Sequence, residues 1–276
     1  MNNRTWFITG ISSGLGKALA KAVIEYGDYV IGTFRRQEQV DEFNKLYQNK
    51  AKALLLDITN HHLIEASFNR LKETNTRIDV LVNNAGVGFA GAIEETSTEE
   101  TRKVFEANFF GALKTTREVL PVMRAQKSGH IIQISSHGGI KAFAGFGIYN
   151  ASKFALEGFS EALAQETAPL NIKVTMVEPG PFRTEFAGTG LGLAETVIED
   201  YSETAGIFRN KLKGVHGQQE GDPDKAAHAI IDMVNLEHPP LRLPLGRIPL
   251  TTIQMKLDSV QKDLDEQRSV AESVVF

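Results

Sequence analysis

The sequence predicts an α/β protein, a single doubly wound parallel sheet of seven strands with helices on both faces. Three observations point to it. Short apolar runs alternate along the chain with segments of helical period, the order expected of parallel strands joined by right-handed crossovers. Most of these runs are almost continuously apolar, as strands covered on both faces are. A glycine-rich turn, Thr9 to Gly16, closes the first strand and opens the first helix. With 276 residues and 42% hydrophobic composition there is material for one large core, and the expectation is one domain over 1–276.

The strand candidates are Thr5–Thr9, Tyr29–Thr33, Ala53–Leu56, Val80–Val82, His130–Ser135, Lys173–Val177 and Leu241–Leu245. Between them lie helical patterns at Leu15–Tyr26, Gln37–Gln48, His61–Thr74, Thr98–Arg124, Ala151–Thr167 and Pro223–Leu236. The last has Asp222 as N-cap and Pro223 at its first helical position. Glu185 to Gly221 is too long for a simple connection and is expected to be a substrate lid, with hinge positions in Gly188–Gly192. In the tail, 247–276, Leu250, Ile253, Leu257, Val260 and Leu264 follow helical spacing, a stripe suited to packing or to a subunit face.

Composition narrows the function. The formal net charge is -4 and no long run of like charge stands out, which disfavours a nucleic-acid partner. There is no cysteine, so disulfides, thiolate metal sites and a cysteine nucleophile are excluded. The seven histidines, among them His61, His62 and His137, lack metal-ligand spacing with suitable partners, and no metal is expected. No apolar stretch approaches the roughly 18–20 residues that span a bilayer. Nothing ahead of the first strand resembles a targeting segment. The expectation is a soluble cytoplasmic protein.

In the turn Thr9-Gly10-Ile11-Ser12-Ser13-Gly14-Leu15-Gly16, Gly14 and Gly16 let backbone N–H groups and the helix N-terminus approach a pyrophosphate. The spacing is Gly-x-x-x-Gly-x-Gly, unlike the usual dinucleotide fingerprint, and a glycine turn without a ligand is the plain alternative. The second strand ends Phe34-Arg35-Arg36. Phe34 stands where NAD-binding folds place an acidic residue on the ribose, and two guanidinium groups suited to a 2′-phosphate follow. The expected cofactor is NADP(H); the alternative is that both arginines are solvated loop charges. Asp57, followed by Ile58, ends the third strand, where it either accepts from an adenine amino group or caps the next helix.

Ser136 follows the fifth strand, Tyr149 comes thirteen positions later, and Lys153 lies one helical turn beyond Tyr149. A free phenol has a pKa of about 10 and is a poor base at neutral pH. An adjacent ammonium favours the phenolate, so the pair is expected to bring a proton carrier near working pH. A Ser136 hydroxyl would hold the substrate oxygen.

Together with Asn83-Asn84-Ala85-Gly86, Asn108 and Pro179-Gly180, these motifs resemble the short-chain dehydrogenase/reductase family over at least Arg4 to Thr184. The layout up to Arg247 is similar to the branch resembling 17β-hydroxysteroid dehydrogenases. The resemblance implies a Rossmann fold and a catalytic tetrad of Asn108, Ser136, Tyr149 and Lys153. It implies that the Asn108 backbone carbonyl holds a water linking Lys153 to solvent, and that Lys153 also bonds the nicotinamide ribose. Cofactor contacts are implied for Gly10, Ser12, Ser13, Gly14, Leu15 and Gly16 at the pyrophosphate and for Asn84, Ala85 and Gly86 beside it. Pro179, Gly180, Phe182 and Thr184 are implied at the nicotinamide. Without the family, Asn83–Gly86 and Pro179-Gly180 are ordinary turns and Asn108 is a polar helix residue. Ser135 competes with Ser136, and the family spacing to Tyr149 selects Ser136.

Phe143, Phe146, Phe182, Phe186, Leu191 and Leu193 flank the expected site, and Phe89 follows the Asn-Asn-Ala-Gly turn. Arg183 is the one anion contact in view. An apolar pocket for a neutral ketone, aldehyde or secondary alcohol is expected. The alternatives are a 3-oxoacyl thioester reductase or a non-catalytic NADP(H)-sensing protein. The long helices at Thr98–Arg124 and Ala151–Thr167 and the tail suggest a homodimer over a tetramer. Replacing Phe34 by Asp and Arg35 by Gln together is expected to move the kcat/KM preference from NADPH toward NADH; an unchanged ratio contradicts the cofactor assignment.

Overall fold

Trp6 and Phe7 are neighbours on the first strand, and both are fully buried. Successive strand side chains point to opposite faces, so this strand is covered on both sides. The computed structural model describes residues 4–188, 190–215 and 217–276. Thr189, in the expected hinge run, and His216, in the expected lid, lie outside the described residues.

In chain order the elements are β1 (Thr5–Ile8), α1 (Gly14–Tyr26), β2 (Tyr29–Phe34), α2 (Gln37–Tyr47), β3 (Ala51–Leu55), α3 (His61–Glu73), β4 (Val80–Asn83), β5 (Gly88–Ala90), α4 (Thr98–Phe105), α5 (Gly111–Gln126), β6 (Gly129–Ile134) and α6 (Gly147–Thr167). They continue with β7 (Ile172–Pro179), β8 (Leu191–Leu193), α7 (Ile207–Gly214), α8 (Pro223–Val234), β9 (Arg242–Leu245) and α9 (Arg247–Glu272). The main sheet has the order β3-β2-β1-β4-β6-β7-β9, parallel throughout. This is the seven-stranded, doubly wound Rossmann sheet the sequence predicts. One face packs Trp6, Ile8, Val30 and Val82 against Leu19 and Val23 of α1 and Ile230 of α8. The other packs Phe7, Ile31, Leu81 and Ile131 against Phe68 of α3, Val119 and Met123 of α5 and Leu163 of α6. Burying each large apolar side chain contributes roughly 1.5–3 kcal/mol, so the strands are held by what lies above and below them. Asp222 caps α8 as expected, its carboxylate accepting from the N–H groups of Asp224 (2.9 Å) and Lys225 (3.2 Å).

Three features depart from the sequence expectation. The segment Thr98–Arg124 is not one regular helix: a π-helical turn, Glu106–Phe110, separates α4 from α5 and contains Asn108. Such turns add one residue to a helix and occur often at functional sites, and a hydrophobic period cannot show a single inserted residue. Helix α6 begins four residues earlier than its apolar pattern, so Tyr149 lies in its first turn. Strands β5 and β8, each of three residues, form a second parallel sheet. Gly192, an expected hinge, is inside β8 with Phe89 against it, leaving only 3.0 Å between a Cβ there and the ring. Among the described residues no helix is long and apolar enough to cross a membrane.

Strand order reverses between β1 and β4, and open α/β sheets bind ligands outside the strand ends at such a point. Here Thr9, after β1, clasps the turn after β4. Its buried Oγ1 accepts from the N–H groups of Asn84 (2.9 Å) and Ala85 (3.0 Å). Asn84 Nδ2 returns bonds to the carbonyls of Thr9 and Gly10, both at 2.9 Å. Thr9→Val keeps the shape but strands the Ala85 N–H, while the Asn84 N–H keeps the Val82 carbonyl (3.1 Å), and is expected to lower unfolding free energy by about 1 kcal/mol in urea titration. Unchanged stability would show that the clasp does not hold the two turns together.

Candidate active site

The turn after β1 has the geometry of an anion cradle. Gly10 and Gly14 have φ of +69° and +57°, which favours glycine, and a Cβ on Gly16 would fall 2.2 Å from Asn84 Nδ2. Ser13, the N-cap of α1, makes no side-chain cap bond, and the first turn holds no acidic residue. The helix thus presents uncapped N–H groups and the positive end of its dipole, while Ser12 and Ser13 are exposed beside them. At the end of β2, Phe34 is buried against Phe43, and Arg35 and Arg36 are exposed. No carboxylate occupies the β2 terminus. Asp57 accepts from Thr59 N–H (2.9 Å) and Thr59 Oγ1 (2.8 Å), whereas Asn60 caps α3. Capping of α3 thus falls to Asn60 and not to Asp57. Ile58 is buried, its carbonyl 2.7 Å from a Cβ built on Gly111.

Four polar side chains of the expected site are all buried: Asn108, Ser136, Tyr149 and Lys153. Asn108 closes on one peptide unit, Oδ1 accepting from Val87 N–H (2.8 Å) and Nδ2 donating to the Val87 carbonyl (2.9 Å) and to Ser152 Oγ (3.1 Å). Lys153 Nζ donates to the Ile134 carbonyl at 2.8 Å and lies 5.9 Å from the centre of the Tyr149 ring. A Cβ on Gly86 would stand 2.9 Å from Asn108 Oδ1 and 3.7 Å from Lys153 Nζ, so only glycine fits there without displacing one of them. Ser136 Oγ accepts from Gly138 N–H at 3.0 Å and faces the phenol. Ser135 is also buried, but its hydroxyl lies against Glu157.

The electrostatics differ from the sequence expectation. Burial pushes the Tyr149 phenol up to about 12, and a hydrogen bond with Ser136 opposes this only in part. Burial also pulls Lys153 down to about 8, against the pull of Glu157. For the phenol, desolvation of an enclosed phenolate is the larger influence and the Ser136 hydrogen bond the smaller. At neutral pH the phenol is protonated, and the lysine titrates close to neutrality.

Phe143, Leu191 and Leu193, together with Phe208 and Leu212, pack with Ala90, Phe146 and Tyr149, while Phe186 meets the Tyr149 ring edge-on at 5.6 Å. Phe208 and Leu212 belong to α7, and no motif marked them. Two expected lining residues lie elsewhere. Phe89 packs with Val104, Ala194 and Ile148, and Phe182 covers Gly221 across an isolated bridge. Thr184 reaches the cradle, its Cβ 3.3 Å from a Cβ on Gly14. Gly180 N–H donates to the Leu245 carbonyl (2.9 Å), seating the Pro179-Gly180 turn against β9. Arg183 is exposed and donates to the Gln219 carbonyl at 3.2 Å. His137 pairs with Thr252 Oγ1 of α9 at 3.0 Å, and burial lowers it to about 4, so it is neutral at working pH. Asn150 was also missed by motif reasoning. It ties Phe143 N–H (2.9 Å) to the Gly138 carbonyl (2.8 Å) and so fixes the loop before α6.

A family model described as short chain dehydrogenase matches residues 4–190. A short-chain dehydrogenase from Streptomyces avermitilis, solved as a crystal structure, is 42% identical with a TM-score of 0.93, covering 99% of each chain. "Oxidoreductase BOA17" of Botryotinia fuckeliana is 39% identical over 88% of this chain and 89% of its own length. A 3-ketodihydrosphingosine reductase of Bacteroides thetaiotaomicron is 38% identical over 87% and 86%. Chains of similar fold have been solved with NAD and with NADP+ bound. The chain belongs to the short-chain dehydrogenase family. It is an oxidoreductase that uses a nicotinamide dinucleotide and a small-molecule substrate.

The segment over the site is pinned from one side by acidic residues. Buried Glu95 accepts from Ala92 N–H (2.7 Å), Ile198 N–H (2.9 Å) and Arg209 Nη2 (2.6 Å), and Glu100 accepts from Glu195 N–H (3.1 Å). Glu95→Ala leaves the buried Arg209 charge unpaired and is expected to cost about 3 kcal/mol. Hydrogen exchange is expected to rise first in 195–209, ahead of the main sheet. A uniform rise over the whole chain would contradict a local tether.

Proposed function

We propose that this protein is an NADP(H)-dependent carbonyl reductase and alcohol dehydrogenase acting on an apolar ketone, aldehyde or secondary alcohol. The observation that supports it most directly is the buried Tyr149 phenol, with Ser136 beside it and an aromatic and aliphatic wall around it. NADP(H) is supported by exposed Arg35 and Arg36 at a strand end without a carboxylate. Since Phe34 is part of the core, neutralising Arg35 and Arg36 alone is the gentler test of that preference.

The cradle fits a dinucleotide: glycines at Gly10, Gly14 and Gly16, uncapped N–H groups of α1, and Asn84, Ala85 and Gly86 alongside. Pro179, Gly180, Phe182 and Thr184 would lie toward the nicotinamide end. When bound, the reduced cofactor supplies hydride. The chain's own residues would do the rest. Ser136 holds the substrate oxygen, and Tyr149, neutral at working pH, donates a proton to it. Lys153, which titrates near neutrality, is suited to return that proton to the phenolate. Asn108, held by Val87, positions the end of this relay. The lid of 185–221 would close Phe186, Leu191, Leu193 and Phe208 over the substrate and exclude water.

Similarity to a 3-ketodihydrosphingosine reductase supports a ketone as substrate. The stripe on α9 (Leu250, Leu257, Val260 and Leu264, all exposed) supports a homodimer contact through that helix. Tyr149→Phe is expected to reduce turnover at least about 10²-fold with little change in NADPH affinity by fluorescence titration. A panel of apolar ketones, 3-oxoacyl thioesters and alcohols, each with NADPH and NADH, identifies the substrate class. Near-native turnover of the Phe variant, or a clear preference for thioesters, overturns the reading.

A further inference from the structure

Close to Lys153 lie two buried carboxylates whose partners are one shared guanidinium and, for the first, the Ser135 hydroxyl. Glu157 stands one turn after Lys153 on α6, and Glu178 is on β7; their side chains are 6% and 1% exposed. Buried carboxylates are uncommon, and two that share one cation more so. The two share one cation. Arg242 Nε of β9 stands 3.4 Å from Glu157 and 3.3 Å from Glu178, while its Nη2 reaches exposed Glu161 at 3.1 Å. Toward the site, Glu157 faces Ser135 and Lys153, and Gly139 closes the space: a Cβ there would lie 2.7 Å from Ser135 Oγ and 3.0 Å from Glu157 Cγ.

One guanidinium does not neutralise two enclosed carboxylates, so such a pair retains a proton where isolated acids would not. The direction of each group agrees. Burial raises Glu157 against the opposing pull of Ser135, Arg242 and Lys153. Burial, then repulsion from Glu157, raises Glu178 to about 7, with Arg242 opposing. The groups that face Lys153 are Glu157 on its own helix, the Tyr149 phenol, the Ile134 carbonyl of β6 and Asn108 of the π-helical turn.

We propose that Glu157 is a positioning residue that acts through Lys153, holding the lysine's charge in place, and that Glu178 and Arg242 behind it decide how much negative charge Glu157 bears. Two isosteric changes in one cluster then have opposite signs. Glu157→Gln removes the anion beside Lys153, and the lysine loses its proton at lower pH. Glu178→Gln removes the competitor for Arg242, Glu157 ionises more fully, and Lys153 keeps its proton to higher pH. A role confined to packing would move both variants the same way, through stability alone.

The inference rests on the catalytic reading of Lys153 only for its consequence in turnover, so the test has two readouts. The first is the titration of Lys153 in the full-length chain, followed by NMR of lysine labelled with 13C at Cε and assigned with Lys153→Arg. Glu157→Gln is expected to shift the midpoint down by about one pH unit and Glu178→Gln to shift it up. Should Glu157→Gln fail to fold, the upward shift in Glu178→Gln alone decides the matter. No shift, or shifts of the same sign, overturns the proposal. The second readout is the pH profile of kcat/KM with NADPH and a ketone, whose basic limb should follow the same shifts. Opposite NMR shifts in a protein that turns over no carbonyl would uphold the charge network and remove the reductase assignment.

Discussion

The Asn108 carboxamide, closed on both polar atoms of Val87, is the contact on which the arrangement of the site depends. It joins the π-helical turn between α4 and α5 to the chain leaving β4, and through Ser152 it reaches the first turns of α6. Ser152 in turn donates to the Tyr149 carbonyl at 2.7 Å. Three elements that share no strand pairing are fixed to one another by a single amide. A buried amide of this kind has little freedom to reorient, since each bond lost would leave a backbone group unpaired. The tyrosine and lysine inherit their positions from it, and Gly86 leaves room beside the amide and the lysine.

Enclosure is the second constraint. A phenol and an ammonium, both fully surrounded, are driven toward their neutral forms, and this places Tyr149 and Lys153 differently from an exposed pair. The phenol stays protonated, the state needed to give a proton to a carbonyl oxygen. The lysine comes down to about 8, where it exchanges protons readily near neutral pH. Glu157 acts in the opposite sense, tempered by Glu178, and the proton chemistry of the lysine is set by this balance of burial against partial compensation. The apolar wall from α7 and β8 belongs to the same design, because it excludes the water that would otherwise screen these groups.

Much of the main sheet was legible because two-sided burial leaves an unmistakable trace in composition. All seven strands of that sheet appear as apolar runs, and Asp222-Pro223 marks the start of α8 by local hydrogen-bond chemistry. The catalytic candidates were legible for another reason: Tyr149 and Lys153 lie one helical turn apart, and resemblance to the family picks out Ser136 and Asn108 beside them. What escaped had no local signal. β5 and β8 are too short to show a period. Phe208, Leu212 and Asn150 act through neighbours distant in sequence, and Phe89 and Phe182 sit in plausible places but turn elsewhere.

The sequence by itself determined the layered parallel architecture, the glycine turn after β1 and the missing carboxylate at the end of β2. Periodicity, backbone freedom and charge are properties of short stretches, and they survive without knowledge of the neighbours. Only the tertiary structure decided which way Lys153 points, that Tyr149 is neutral, that Ser135 serves Glu157 while Ser136 faces the phenol, and that Glu157, Glu178 and Arg242 meet behind the lysine. Each of these depends on how completely water is removed from groups brought together from different strands and helices, and desolvation is a property of the assembled interior.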